Sequence, residues 1–227
     1  MNDNVFLNAA LEYAGRGWPV LPLKPWEKAP NGQLVPHGHK DATTDLDLVS
    51  VWWTSHPDSN VGVRVGRESD LIVLDIDMHR DDGKAALKTL ERERGKLPET
   101  YTDETAGNGL HPFFKFPPTL KNAELKRELA PGIDLKHDGY VVMPPSVVNG
   151  KAYKNVKDCE LAELPPQWVE LCKKQEPTYE EWTQVRRAAN PNGESFCEQH
   201  GLSMSDVLLR PADAKSISGG YLCKHPD

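Results

Sequence analysis

The chain has 227 residues, 27 Lys and Arg against 34 Asp and Glu, a net charge of −7, and 38% hydrophobic residues. That length supports one large domain with a proper core and a small appendage. No apolar run approaches the roughly 20 residues of a membrane span, and no charged-then-apolar leader opens the sequence, so no membrane partner and a cytoplasmic setting are expected.

Apolar residues crowd one side of residues 2–15 at helical spacing, and Gly15, Arg16 and Gly17 supply a stop. An extended segment follows at 18–24, where the prolines favour a sheet edge. Residues 25–40, rich in Pro, Gly, Asn and His, form a long loop. A second helix starts at a cap near Thr44 or Asp45 and stops before Pro57. Residues 60–66 alternate like a strand, and 71–77 carry the densest apolar run of the chain. A charged amphipathic helix is predicted at 83–95, with Ala86, Leu87 and Leu90 inward. Strands are then predicted at 100–105 and 111–116. The Asp138-Gly139 turn signal predicts a hairpin between 133–136 and 140–143. A helix at 167–174 closes this α+β domain, assigned to residues 1–175. Residues 176–227 contain no strong strand, are helix-prone at 179–189 and 196–209, and form a small helical appendage.

Side chains alternate across a strand, so Asp75 and Asp77 share a face, with Ile72, Leu74 and Ile76 opposite. Two carboxylates at the end of an apolar strand repel each other and lose hydration, and a divalent cation resolves both problems. His111 and Lys115 share one face of their strand, as Asp134 and Lys136 share one face of theirs. Three carboxylates, an imidazole and two ammonium groups resemble a two-metal site for phosphoryl transfer. Mg²⁺ or Mn²⁺ takes such oxygen ligands, with substrate phosphates completing the shell.

The order of motifs is also familiar. Gly17-Trp-Pro-Val-Leu-Pro-Leu23, Lys28-Ala-Pro30, Asp41-Ala-Thr-Thr-Asp45, Trp52-Trp53 and Asn60-Val-Gly-Val63 are followed by Val73-Leu-Asp-Ile-Asp77 and Gly109-Leu-His111. Gly132-Ile-Asp134 and Asp138-Gly-Tyr-Val-Val-Met-Pro-Pro-Ser146 complete the series. Over roughly residues 5–170 this resembles the bifunctional DNA primase/polymerase N-terminal (prim-pol) domain of phage and plasmid replication proteins, within the archaeo-eukaryotic primase superfamily. The resemblance implies an α/β module joined to an RRM-like sheet, with the active site in the cleft between them. It also implies primer synthesis and extension on single-stranded DNA with dNTPs or NTPs, in a bacterial cytoplasm, beside a fused or associated helicase. By motif, Asp75, Asp77 and Asp134 would be catalytic metal ligands for Mg²⁺ or Mn²⁺. His111 would contact the incoming triphosphate, with Lys28, Lys115 and Lys136 near phosphates. Two departures stand out: Gly109 offers no hydroxyl two residues before His111, and Pro112 cannot donate a ladder hydrogen bond.

Cys159, Cys172, Cys197 and Cys223 show no disulfide-framework spacing, which matches reduced thiols. In the tail, Cys197, His200, Cys223 and His225 are candidate zinc ligands, although Cys-x-His is tight for tetrahedral coordination. The tail further suggests a fragment of a longer replicase, continuing past residue 227. The −7 charge predicts weak, salt-sensitive DNA binding through local patches such as Lys121, Lys126 and Arg127, or Arg92, Arg94 and Lys96. Two other functions fit parts of the pattern. A metal-dependent nuclease could use the same carboxylates, and a non-catalytic RNA-binding module would need exposed aromatics on its central strands.

Overall fold

The computed structural model describes residues 4–78 and 81–174, and beyond them the backbone of two short segments near the end of the chain. Helix α1 (Val5–Gly15) starts where Asn4 Oδ1 accepts the amides of Phe6 and Leu7 at 3.0 and 3.1 Å. That cap satisfies two of the orphan donors of the first turn. Strand β1 (Val20–Leu23) follows, fully buried. Helix α2 (Leu46–Ser55) is capped by Asp45, whose Oδ1 accepts from the amides of Asp47 and Leu48, and it buries Val49, Trp52 and Trp53. Strand β2 (Asn60–Arg64) lies between β1 and β8 (Tyr140–Met143) in an antiparallel three-stranded sheet. Pro22, which has no N–H to donate, is accommodated because β1 is an edge of that sheet.

The larger sheet is centred on β3 (Leu71–Ile76), whose β-branched and leucine-rich run is buried on both faces. Helix α3 (Gly83–Arg94) follows, and then β4 (Thr102–Glu104), β5 (Leu110–Lys115), β6 (Glu128–Ala130) and β7 (Ile133–Lys136). A small ladder, β9 (Val147–Val148) with β10 (Lys151–Ala152), leads into β11 (Lys154–Lys157), β12 (Ala162–Glu163) and helix α4 (Pro166–Cys172). Strand order is β11-β4-β5-β3-β7-β6, all antiparallel, with β12 pairing parallel to the end of β5.

The hairpin expected from Asp138-Gly139 does not form. β7 pairs with β3 and β6, whereas β8 pairs with β2, so the chain passes from one sheet to the other at 137–139. The turn signal is local, but the apolar faces of β7 and β8 belong to different cores, and burial decides. One core gathers α1, α2, the small sheet and one face of the large sheet, including Leu71, Val73, Tyr101 and Phe113. The other lies under α3 and α4, where Ile72, Leu74, Ile76, Phe114, Ile133 and Leu135 meet Leu90 and Trp168. Each such buried side chain contributes about 1.5–3 kcal/mol of transfer free energy.

Backbone contacts divide the chain into two units, Met1–Lys174 and Gln175–Asp227. In the second, the described residues are an antiparallel pair, β13 (Lys215–Ile217) and β14 (Gly220–Leu222), where the sequence predicted no strong strand. The helices expected at 179–189 and 196–209, and the zinc candidates Cys197, His200, Cys223 and His225, lie outside the described residues.

Candidate active site

The register of the large sheet builds a polar row across one of its faces. Asp75 stands directly opposite Asp134 on β7. The β3–β5 register, Leu71 opposite Lys115 through Ile76 opposite Leu110, sets His111 against Asp75 on the other side. His111 in turn opposes Asp103 on β4, and Asp103 opposes Asn155 on β11. Directly opposed residues carry their side chains on one face, so Asp134, Asp75, His111, Asp103 and Asn155 form a continuous line. Further along β3 the same face carries Val73 and Leu71, with Phe113 and Tyr101 beside them, all buried under the first core. The site begins where that apolar cover ends.

Both oxygens of Asp75 are held. His111 Nε2 lies 3.2 Å from Oδ1, and Lys136 Nζ lies 3.3 Å from Oδ2 while also donating to Asp134 Oδ2 at 2.8 Å. Burial alone would raise the Asp75 carboxyl, but the hydrogen bond and charge of His111, together with Lys136, outweigh it and hold it down at about 2. Lys136 is raised for the reciprocal reason: burial opposes its charge, and Asp134 and Asp75 more than compensate. Asp77 sits just past the end of β3 on a scaffold of backbone bonds. Its N–H donates to Gly132 O at 2.9 Å, its carbonyl accepts from Gly83 N at 3.0 Å, and its Oδ1 accepts from Met78 N at 2.6 Å. A Cβ on Gly83 would lie 2.4 Å from the carbonyl oxygens of both Asp77 and Gly132, so this close approach admits only glycine.

These groups face a cavity of about 340 Å³ between the two sheets. Asp75, Asp77, His111 and Lys136 line one side, and Tyr140, Val141 and Val142 of β8 line the other. Lys28 reaches the rim from the loop after β1, where the Tyr140 hydroxyl donates to the Lys28 carbonyl at 2.9 Å. Thr105, Gly107 and Tyr153 complete the lining. Asp134, half-exposed, borders the site through Lys136.

Lys115 does not join the site and corrects the expectation that pairs it with His111. The two share a face, but they are four residues apart, about 13 Å along a strand, with buried Phe113 between them. Lys115 is exposed at the far end of β5, opposite Leu71. The two departures at His111 have physical explanations. Strand β5 continues through Pro112, which pairs with Thr102 on β4, so the missing N–H does not disturb the register. At Gly109 a Cβ would lie 2.3 Å from Ile76 O, which excludes serine. The hydroxyl nearby comes from Thr105, whose Oγ1 accepts the amides of Gly107 and Gly109 at 3.3 and 3.1 Å.

Sequence patterning missed Tyr140, Tyr153, Thr105 and Asp103. The first three lie on segments whose approach to the carboxylates depends on how the two sheets face each other, and Asp103 declares itself only through its register with His111. The aromatic residues of the central strands, Phe113 and Phe114, are fully buried, so they provide no stacking platform for RNA. Of the basic patches, Lys121 is paired with Asp70 at 3.6 Å.

Among the described residues, no group of three or more His, Cys, Asp and Glu side chains is arranged to hold a metal ion. The Lys136 ammonium takes the place between Asp75 and Asp134 where a cation is required. The donor set of Asp75, Asp77 and Asp134 consists of hard carboxylate oxygens, which fits Mg²⁺ or Mn²⁺ in chemical type.

The chain matches the family model Prim-Pol, described as bifunctional DNA primase/polymerase, N-terminal, over residues 10–168. It belongs to this family. The family is one of nucleotidyl-transferring enzymes that generally use divalent metals and act on a single-stranded DNA template with nucleotide substrates. No curated protein matches the chain.

Proposed function

We propose that this domain synthesises primers on single-stranded DNA and extends them with dNTPs, in phage or plasmid replication and beside a helicase. The observation that carries the reading is Asp75, set in a polar row and facing a cavity, with His111 on one oxygen and Lys136 on the other. Asp75, Asp77 and Asp134 would hold Mg²⁺ or Mn²⁺, which when bound supplies positive charge for in-line attack of a hydroxyl on a phosphate.

The chain's own groups do the rest. Asp75, held below the ordinary carboxylate range by His111 and Lys136 against its burial, is an anionic ligand before substrate arrives. His111 Nε2 exchanges Asp75 for a phosphate oxygen, and Lys136 Nζ turns from Asp134 to the triphosphate, so both donors are already positioned before substrate arrives. Lys28 adds charge from the opposite rim. Val141 and Val142 offer an apolar wall to the cavity.

The test is incubation with single-stranded DNA, labelled ATP or dATP, a dNTP mix and Mn²⁺ or Mg²⁺. Labelled oligonucleotides in the absence of primer support the reading. Degradation of the DNA with no nucleotide present, and no synthesis, would make the domain a nuclease using the same carboxylates.

A further inference from the structure

Tyr153 lies between β10 and β11, held by its amide donating to Ser146 O at 2.8 Å. The residue is 4% exposed and belongs to the first core, yet it lines the cavity. The ring centroid is 6.2 Å from that of His111, with the planes tilted by 44°. Buried phenols normally find a hydrogen-bond partner, and the neighbouring tyrosines do. Tyr13 donates to Pro144 O at 3.0 Å, Tyr101 to the Tyr13 hydroxyl at 3.3 Å, and Tyr140 to Lys28 O at 2.9 Å. The Tyr153 hydroxyl bonds to none of the described residues and is not one of the fully buried polar atoms, so it opens on the cavity. Burial, with the nearby charges of Asp75 and Asp77, pushes the phenol up to about 12, so it remains a donor at neutral pH.

We infer that the Tyr153 hydroxyl donates to a phosphate oxygen of the nucleotide triphosphate that His111 contacts. This rests on the nucleotide-binding reading of the cavity. Phosphate is favoured over sugar because the Tyr153 ring lies beside the His111 imidazole, and because a donor with no acceptor among the described residues suits an anionic oxygen. Tyr153 is then a substrate-contacting residue, and its ring also braces the His111 imidazole.

The experiment is calorimetric titration of the full chain and of Tyr153→Phe with dATP and with inorganic tripolyphosphate, both in Mg²⁺, alongside thermal unfolding. Removing a hydroxyl that bonds to none of the described residues should leave the melting temperature unchanged or raised. The dissociation constant for dATP should rise about tenfold or more, as for loss of a hydrogen bond to a charged group, and tripolyphosphate should weaken by the same factor. Equal dATP affinity in the two proteins would overturn the inference. So would a loss seen with dATP but not with tripolyphosphate, which would put the hydroxyl on the sugar. A wild-type chain that binds neither probe would instead overturn the nucleotide reading itself.

Discussion

Asp103 is the most exposed to test of the buried groups, because it is a carboxyl with no accessible surface and no ion pair among the described residues. Its Oδ1 accepts from Asn155 Nδ2 at 3.1 Å, and its Oδ2 has no partner. Around it stand Tyr101 just before its strand, Tyr13 of α1 and Arg16 just after it, Asp158, Asn155 on β11 and His111 on β5. Burial pushes its ionisation up to about 7, against the reach of Asn155, Tyr101 and Arg16. An acid raised in the folded state keeps a proton that the unfolded chain has already released between about pH 4 and pH 7. Stability therefore falls as pH rises through that window and is flat beyond it. From an ordinary value of 3.8 to about 7, at about 1.4 kcal/mol per pH unit, the loss amounts to about 4 kcal/mol. Asp103→Asn removes the ionisation while keeping an oxygen for Asn155. Its own amide N–H groups lose water and cost about 1–3 kcal/mol at all pH values. Urea unfolding of both proteins at pH 4.5 to 8 isolates the effect, since titrating groups remote from Asp103 cancel in the difference. Across that span, which begins above the ordinary value of 3.8, the variant should lose about 3 kcal/mol less than wild type. Parallel pH profiles would refute a buried, raised carboxyl.

Gly109→Ser should cost about 1–3 kcal/mol or more, since its Cβ meets Ile76 O at 2.3 Å, and a melting curve matching wild type would contradict the close approach. Lys136→Ala should raise the dNTP KM about tenfold or more, as for loss of a charge-assisted contact, whereas Lys115→Ala at the far end of β5 should leave it unchanged; steady-state primer extension separates the two. With a net charge of −7, DNA affinity of the 227-residue chain should be low and fall steeply with salt. A tight complex insensitive to salt, measured by fluorescence anisotropy, would contradict that.

Much of the site was legible because strands have period two. Asp75 with Asp77, and Asp134 with Lys136, were placed on common faces from alternation alone, and the structure brings Asp75, Asp77 and Lys136 to one cavity with His111 and Lys28. Alternation gives the face but not the position along it, which is why Lys115 was grouped with His111 although about 13 Å separates them. The β7–β8 hairpin failed for a related reason: Asp138-Gly139 is a sound turn signal, but which sheet each strand joins is decided by distant apolar surfaces. Tyr140 and Tyr153 could not be found by spacing, since they reach the carboxylates only through the facing of two sheets. The Lys136 bridge between Asp75 and Asp134 was likewise invisible, because pairing of β7 with β3 sets it.

Single-nucleotide incorporation onto a labelled primer annealed to a template, with dNTP and Mn²⁺, bears most directly on Asp75 as the centre of a nucleotidyl-transfer site. Wild type should extend the primer, and Asp75→Ala, folded by circular dichroism and thermal unfolding, should yield no product above background. Extension at wild-type rate by Asp75→Ala, or no extension by either protein, would contradict it.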